Sequence, residues 1–253
     1  WSYGPEICLC VFAVLGAVKV KKMEKASGKE IFWAQSLVMT FLVGFGGGIL
    51  APFLLGKPPV MLVNDLIVPV VFIAWFLVAR AEPLVFAIMN TPVVSQVIYV
   101  LGEVFRGNTL CGVVAAANKA IDHGKYYPIP VWGPIVLGTI AGCGGMFLPF
   151  DKGLAGIKGG APWPLQSAFY CAFVYHLGVN DPNVTGFVSD KIGPYSAETV
   201  KTLVVGFLCT MTLAQSYIGE AFNPFTPVHK VIYTVSGIPD PSAPPAKKES
   251  KTD

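Results

Sequence analysis

A ten-residue pattern occurs twice in this chain, and each copy interrupts an apolar run. Gly47-Gly48-Ile49-Leu50-Ala51-Pro52-Phe53-Leu54-Leu55-Gly56 returns as Gly144-Gly145-Met146-Phe147-Leu148-Pro149-Phe150-Asp151-Lys152-Gly153, an offset of 97 residues. Both copies read G-G-x-x-x-P-F-x-x-G, with further glycines upstream at Gly44, Gly46 and Gly142. Proline removes a backbone donor and clashes with the preceding helical turn. Each interior glycine costs a helix about 1 kcal/mol. Freed backbone groups are intolerable in hydrocarbon but acceptable where they line water. One copy would suit close helix packing, since small residues let backbones approach. The matched pair favours two broken helices facing a pathway, with Gly46, Gly47, Gly48, Pro52, Gly142, Gly144, Gly145 and Pro149 as lining or breaking residues.

A bilayer suits the composition: 53% of the residues are hydrophobic and only 13% charged, against about 25% charged in soluble domains. Mean hydropathy is +0.60. Seven segments are long enough to span or nearly span a membrane. They are Ile7–Val20, Ile31–Leu55, Leu66–Arg80, Val93–Asn118, Val131–Phe150, Leu165–Val179 and Val200–Gly219. The offset pairs the second segment with the fifth, so each half carries three spans and the seventh stands alone. An odd number of spans per half forces opposite insertion. The expected fold is an all-α membrane protein of seven transmembrane helices, as two inverted three-helix repeats plus a seventh helix. Residues 1–222 form this domain. Residues 223–253, Pro-rich and then polar, read as an extended or disordered tail.

Seven spans place alternate connections on opposite sides. Of the 18 Lys and Arg residues, twelve then fall on the side of the C-terminus and six on the other. The positive-inside rule puts the C-terminus on the cytosolic or equivalent side. The chain begins at Trp1 without a signal-peptide layout, which leaves the organelle and any removed leader open. A net charge of +3 gives no case for nucleic acid.

Glu103 and Arg106 lie deep in the fourth segment, three residues apart and so on one helix face. Ionisable groups at such depth mark a pathway or ligand site, or else a self-neutralising pair near the membrane edge. Arg106 also suits a lipid phosphate, because guanidinium matches that geometry. His176 reads chiefly as a buried, hydrogen-bonded histidine, and as a metal ligand only if a pigment or haem is bound. The six cysteines read as small buried hydrophobes. No H-E-x-x-H, G-x-S-x-G or P-loop pattern is present, so no enzyme chemistry is indicated. Asn183-Val184-Thr185 matches a glycosylation sequon.

Several short motifs together resemble the trimeric intracellular cation (TRIC) channels. Ile49 to Pro58 is similar to the I-L-A-D-x-L-L-G-x-P at the end of that family's second span. Gly102-Glu103-Val104-Phe105-Arg106 resembles its K-E-V-x-R. Gly142-Cys143-Gly144-Gly145 falls at its K-G-S-G break, and Asn223-Pro224-Phe225 resembles S-P-F after the last span. The resemblance runs from about Trp1 to Pro227. It implies a homotrimer with a pore inside each protomer, conducting monovalent cations, chiefly potassium, across an intracellular membrane such as the endoplasmic reticulum. It also implies a phosphoinositide or other anionic lipid held by the Lys and Arg of K-E-V-x-R.

Three charged family positions are changed. Gly102 replaces the signature Lys, Pro52 the second-span Asp, and Ala141 or Gly142 the fifth-span Lys. The lipid site is thereby weakened, since only Arg106 remains of its pair, and no cofactor is required. A non-conducting structural subunit of a larger organellar complex, thylakoid or mitochondrial, is the alternative. A secondary transporter is a third reading, from the inverted repeats alone.

Overall fold

The computed structural model describes residues 3–28, 31–148, 161–219 and 222–237. Every regular element among them is helical. In chain order these are α1 (Gly4–Ser27), α2 (Trp33–Leu54), α3 (Val60–Val63), α4 (Ile67–Arg80), α5 (Glu82–Met89), α6 (Pro92–Ala120), α7 (Trp132–Cys143), α8 (Trp163–Asn180), α9 (Pro182–Ile192), α10 (Ala197–Ile218) and α11 (Thr226–Ser236). A 3-10 turn, Gly144–Met146, continues α7.

Two three-helix groups are packed side by side. In the first, α1 packs on α2 and α4. Leu9, Ala13 and Ala17 make a stripe at helical spacing on α1, and Val71, Ala74 and Val78 answer from α4; all are buried. In the second group, α6, α7 and α8 pack mutually, and α10 closes over α6 and α8. Its core joins Leu110, Cys111 and Val114 of α6 to Ala168, Cys171, Ala172 and Tyr175 of α8 and Val200, Val204 and Leu208 of α10. Between the groups α1 meets α6, and α2 meets both α7 and the 3-10 turn.

Among the described residues α2, α6 and α10 are long and apolar enough to cross a membrane. The pair α4–α5, bent by 99°, would make a fourth crossing. The expected first, fifth and sixth spans fall short of that measure for visible reasons. Helix α1 carries two glutamates and four lysines, α7 has only 12 residues, and α8 contains Gln166, Ser167, His176 and Asn180. The outer surface is nevertheless greasy: Val68, Phe72, Ile73, Phe76 and Leu77 of α4 are all exposed. So broad an apolar face is rare on a soluble monomer.

Three connections expected to be loops contain helices. Helix α5 begins at Glu82-Pro83, and α9 at Pro182 behind Asp181. Proline suits the first helical turn, where its missing N–H costs nothing. The Asp181 carboxylate accepts from the N–H groups of Asn183 and Val184 and from the Tyr127 hydroxyl. The Tyr127 bond, followed by those amides, holds the Asp181 pKa below the usual carboxylate range, and the same bond pushes Tyr127 up. Because the folded-state value is depressed, the stabilisation is complete above the unfolded pKa of about 4. It is lost as pH falls through the folded value. Asp181→Ala removes a cap, so about 1 kcal/mol is expected to go. That corresponds to a Tm about 2–4 °C lower at neutral pH. Thermal melts of both proteins at pH 7 and pH 3.5 check this, and the gap should narrow at the lower pH.

Two expectations are corrected. Helix α2 does not break at Pro52; it runs on to Leu54, and its one non-helical residue is Phe45 (φ −109°, ψ 16°). Pro52 sits in the last turn, where the helix ends anyway, whereas Phe45 lies among glycines that lower the cost of deforming the backbone. The tail is not wholly extended or disordered, since residues 226–236 form α11. Its apolar residues recur at Val228, Val231, Ile232 and Val235, a helical period within the Pro-rich stretch. Pro149, the counterpart of Pro52, lies outside the described residues.

A candidate ion pathway at the helix crossing

The two breaks are paired in space. The second falls at Cys143 (φ −138°, ψ 3°), where α7 gives way to the 3-10 turn. Phe45 and Cys143 are 98 residues apart, one residue out of register with the repeated motif. At the crossing, backbone touches backbone. A Cβ on Gly46 would stand 2.8 Å from the Gly145 Cα, and one on Gly144 2.5 Å from the Gly47 Cα. On Gly47 it would meet the Ala141 carbonyl oxygen at 2.2 Å, and on Gly145 the Val43 carbonyl oxygen at 2.0 Å. These contacts are reciprocal: each half presents its glycines to the other half's break. Gly142 packs differently: a Cβ there would stand 2.8 Å from Ala168 of α8 and 2.9 Å from Leu110 of α6.

Cavities lie on both sides of this crossing. One, of about 270 Å³, is lined by Pro5, Glu6, Asn64, Gly48 and Thr109 among others. The other, of about 410 Å³, is lined by Lys19, Lys22, Tyr99, Glu103, Gly142 to Gly145 and Pro164. Phe12, Gly44, Gly47, Arg106 and Ala141 line both. The cavities therefore extend toward opposite ends of α1 and share a neck. From Glu6 to Lys22 the helix rises about 24 Å, most of a hydrocarbon core of about 30 Å.

Arg106 occupies the neck with every nitrogen directed to a partner. Its Nε donates to Glu103 Oε2 at 2.8 Å, Nη2 to Ser167 Oγ at 3.0 Å, and Nη1 to the Pro164 carbonyl at 3.5 Å. The side chains of Arg106 and Glu103 are 10% and 19% exposed, so the pair is close to buried and mutually neutralised. Sequence reasoning finds this pair but misses Ser167 and Pro164, which are some 60 residues away and carry no local signal. It also misses three aromatic rings beside the neck, Phe12 lining both cavities and Phe45 and Phe105 the smaller one. Phe12 stands 4.7 Å from Phe105 and 5.7 Å from Phe45 between centroids, and Phe45 is 6.1 Å from Phe105. The only local hint is Phe45 standing alone in a glycine run.

His176 is separate from this site. It is fully buried in α8, with Nδ1 3.2 Å from the Asn180 amide nitrogen and the Pro130 backbone carbonyl as a further partner of the ring. It lines neither cavity.

Solved structures share this fold. A trimeric intracellular cation channel from C. elegans, in the absence of Ca2+, superposes with a TM-score of 0.62 at 19% identity, covering 86% of this chain and 92% of that one. The fold is that of the TRIC channels. A second structure, described for conductance through TRIC cation channels, gives 0.61 at 18% identity, covering 86% and 93%. A third, of TRIC counter-ion channels in calcium release, gives 0.59 at 19%, covering 85% and 95%. At the level of sequence, the family described as "Glycine transporter" matches residues 6–82. That stretch coincides with the first three-helix group of the TRIC fold, from α1 through α4. No curated protein sequence matches the chain.

Proposed function

We propose that this protein is a TRIC-like monovalent cation channel of an intracellular membrane, potassium being the principal ion, with its pathway running through each protomer. The observation that carries the reading is the pair of cavities meeting at Arg106, Gly44 and Gly47. The reading takes α1, α2, α4, α6, α7, α8 and α10 as seven spans, the first six forming two inverted repeats. It is supported by the contacts between groups, because α1 meets its counterpart α6 and α2 its counterpart α7, as elements beside a two-fold axis would. Homotrimeric assembly follows the trimeric state named for the C. elegans channel. The C-terminus lies on the cytosolic or equivalent side, by the charge asymmetry.

At the crossing the broken helices touch backbone to backbone. Lys19 and Lys22 line the same cavity as Arg106, which supplies cations near the position of the missing signature Lys. An anionic lipid phosphate would fit that charge set.

A second reading has its own observation. The match over residues 6–82 is to a family described as glycine transporters, and inverted repeats are common in carriers. The close backbone contact at the crossing equally suits a scaffold that does not conduct. Purified protein in planar bilayers separates these readings. Single-channel steps in symmetric KCl, unaffected by glycine, are expected. Silence in bilayers with saturable glycine uptake into proteoliposomes would replace the channel by a carrier. Silence in both, with the protein recovered in a larger assembly, would leave the scaffold.

A further inference from the structure

The N-terminal end of α8 is gripped from two sides. On one side stands Arg106, which donates to the Ser167 hydroxyl and to the Pro164 carbonyl. On the other stands Asn223-Pro224-Phe225, the segment that precedes α11. The Asn223 amide donates to the Gln166 side chain at 2.6 Å, and Gln166 in turn donates to the Ala161 carbonyl. Gln166 is buried, and a buried amide left without its partners is costly. Asn223 Oδ1 also accepts from the Phe225 N–H at 2.9 Å, a local turn that asparagine side chains favour. That turn lays the Phe225 ring on Tyr170 at 4.1 Å and on Trp163 at 5.9 Å between centroids, with Phe207 of α10 6.0 Å away. Trp163, Gln166 and Tyr170 are spaced as one face of a helix, and Ser167 adjoins it. The two grips therefore meet at neighbouring residues, Gln166 and Ser167.

We propose that Asn223 and Phe225 are positioning residues for Arg106: they hold the N-terminal end of α8, and that end holds the guanidinium where the two cavities meet. Two of the three partners of Arg106 belong to α8, whereas the third, Glu103, lies on its own helix. Helix α6 can thus carry Arg106 and Glu103 as a unit, but it cannot aim Nη1 and Nη2. The two α8 acceptors move together, because Ser167 is fully buried and its hydroxyl lies 3.3 Å from the Pro164 carbonyl. A displacement of Asn223 and Phe225 against α8 is therefore felt at the neck within about one helical turn. This positioning is independent of whether the protein conducts.

The chain has two arginines, Arg80 and Arg106, so isotopic labelling of arginine nitrogen alone lets NMR report each guanidinium separately. The full chain in lipid nanodiscs is compared with Ser167→Ala, Asn223→Ala and Phe225→Leu, and Arg80→Lys assigns the signals. Ser167→Ala calibrates the loss of a direct partner. Asn223→Ala and Phe225→Leu are expected to shift the Arg106 Nη signals in the direction that Ser167→Ala sets. Hydrogen exchange at those nitrogens should quicken about fivefold, the factor that one ordinary hydrogen bond represents. The Nε signal, held by Glu103, and the signals of Arg80, at the end of α4, should stay in place. Nη signals that respond to Ser167→Ala alone would overturn the proposal. So would changes of equal size at Nε or Arg80, because the loss is then general. Asn223→Ala alters one half-buried side chain, so it decides the matter even where Phe225→Leu fails to fold. Planar-bilayer current from the same preparations keeps two questions apart. Silent protein whose Nη signals move retains the positioning and loses the channel reading; conducting protein whose Nη signals stay does the reverse.

Discussion

Gly145→Ala is expected to be the most damaging small substitution in the molecule. The added methyl would meet the Val43 carbonyl oxygen at 2.0 Å, and neither atom can rotate away because both are fixed to main chain. The helices must separate locally, breaking the reciprocal contacts at Gly46, Gly47 and Gly144. Overpacking in a well-filled core costs about 1–3 kcal/mol, and more where relief is blocked. A loss of about 3 kcal/mol should lower Tm by about 6–12 °C. Gly112→Ala is the matched control. That glycine lies within α6 with nothing within 4 Å of an added Cβ, so helix propensity alone predicts a gain of up to about 1 kcal/mol. Thermal unfolding of both variants in one detergent checks the contrast. Equal effects would mean that the crossing is not closely packed in solution.

The second large effect concerns the charge pair at the neck, where the two single substitutions should act in opposite directions on current. On the proposed channel reading, Arg106→Ala leaves the Glu103 carboxylate uncompensated between the two cavities, and potassium current is expected to rise. Glu103→Ala leaves the guanidinium alone, held by Ser167 and the Pro164 carbonyl, and current should fall at least tenfold. A like charge about 5 Å away costs about 3 kcal/mol at an effective dielectric constant near 20, which makes that figure conservative. Both variants also lose stability. Breaking a buried pair costs about 3–5 kcal/mol, and cavities on each side place this pair at the lower end. Replacing both residues should recover part of that loss, giving a coupling of about 1–3 kcal/mol in a double-mutant cycle. Current that changes in the same direction in both single variants would remove Arg106 from the ion path.

Much of this fold can be read from hydrophobic runs alone. The segment expected at Leu66–Arg80 is α4 at Ile67–Arg80, and that at Leu165–Val179 is α8 at Trp163–Asn180. Periodicity reports which residues avoid water, and the bundle is organised by that preference. The failures share a different cause. The kink at Phe45 depends on what the glycines touch, not on the proline that stands out in the sequence. Ser167 holds Arg106, and Tyr127 holds Asp181, across gaps of 61 and 54 residues. No local pattern encodes such meetings. Helix α11 is legible in its spacing, but the prolines on both sides of it argue for disorder and mask that period.

A contact made by main chain alone is blind to chemistry and sensitive only to volume. The glycine crossing could therefore outlast wholesale exchange of the ionic side chains around it, provided that nothing larger than a hydrogen atom is placed at its centre. An architecture of this kind can drift far in sequence while its shape holds. The residues that preserve the shape are then distinct from those that choose what passes, and the two can evolve on separate clocks.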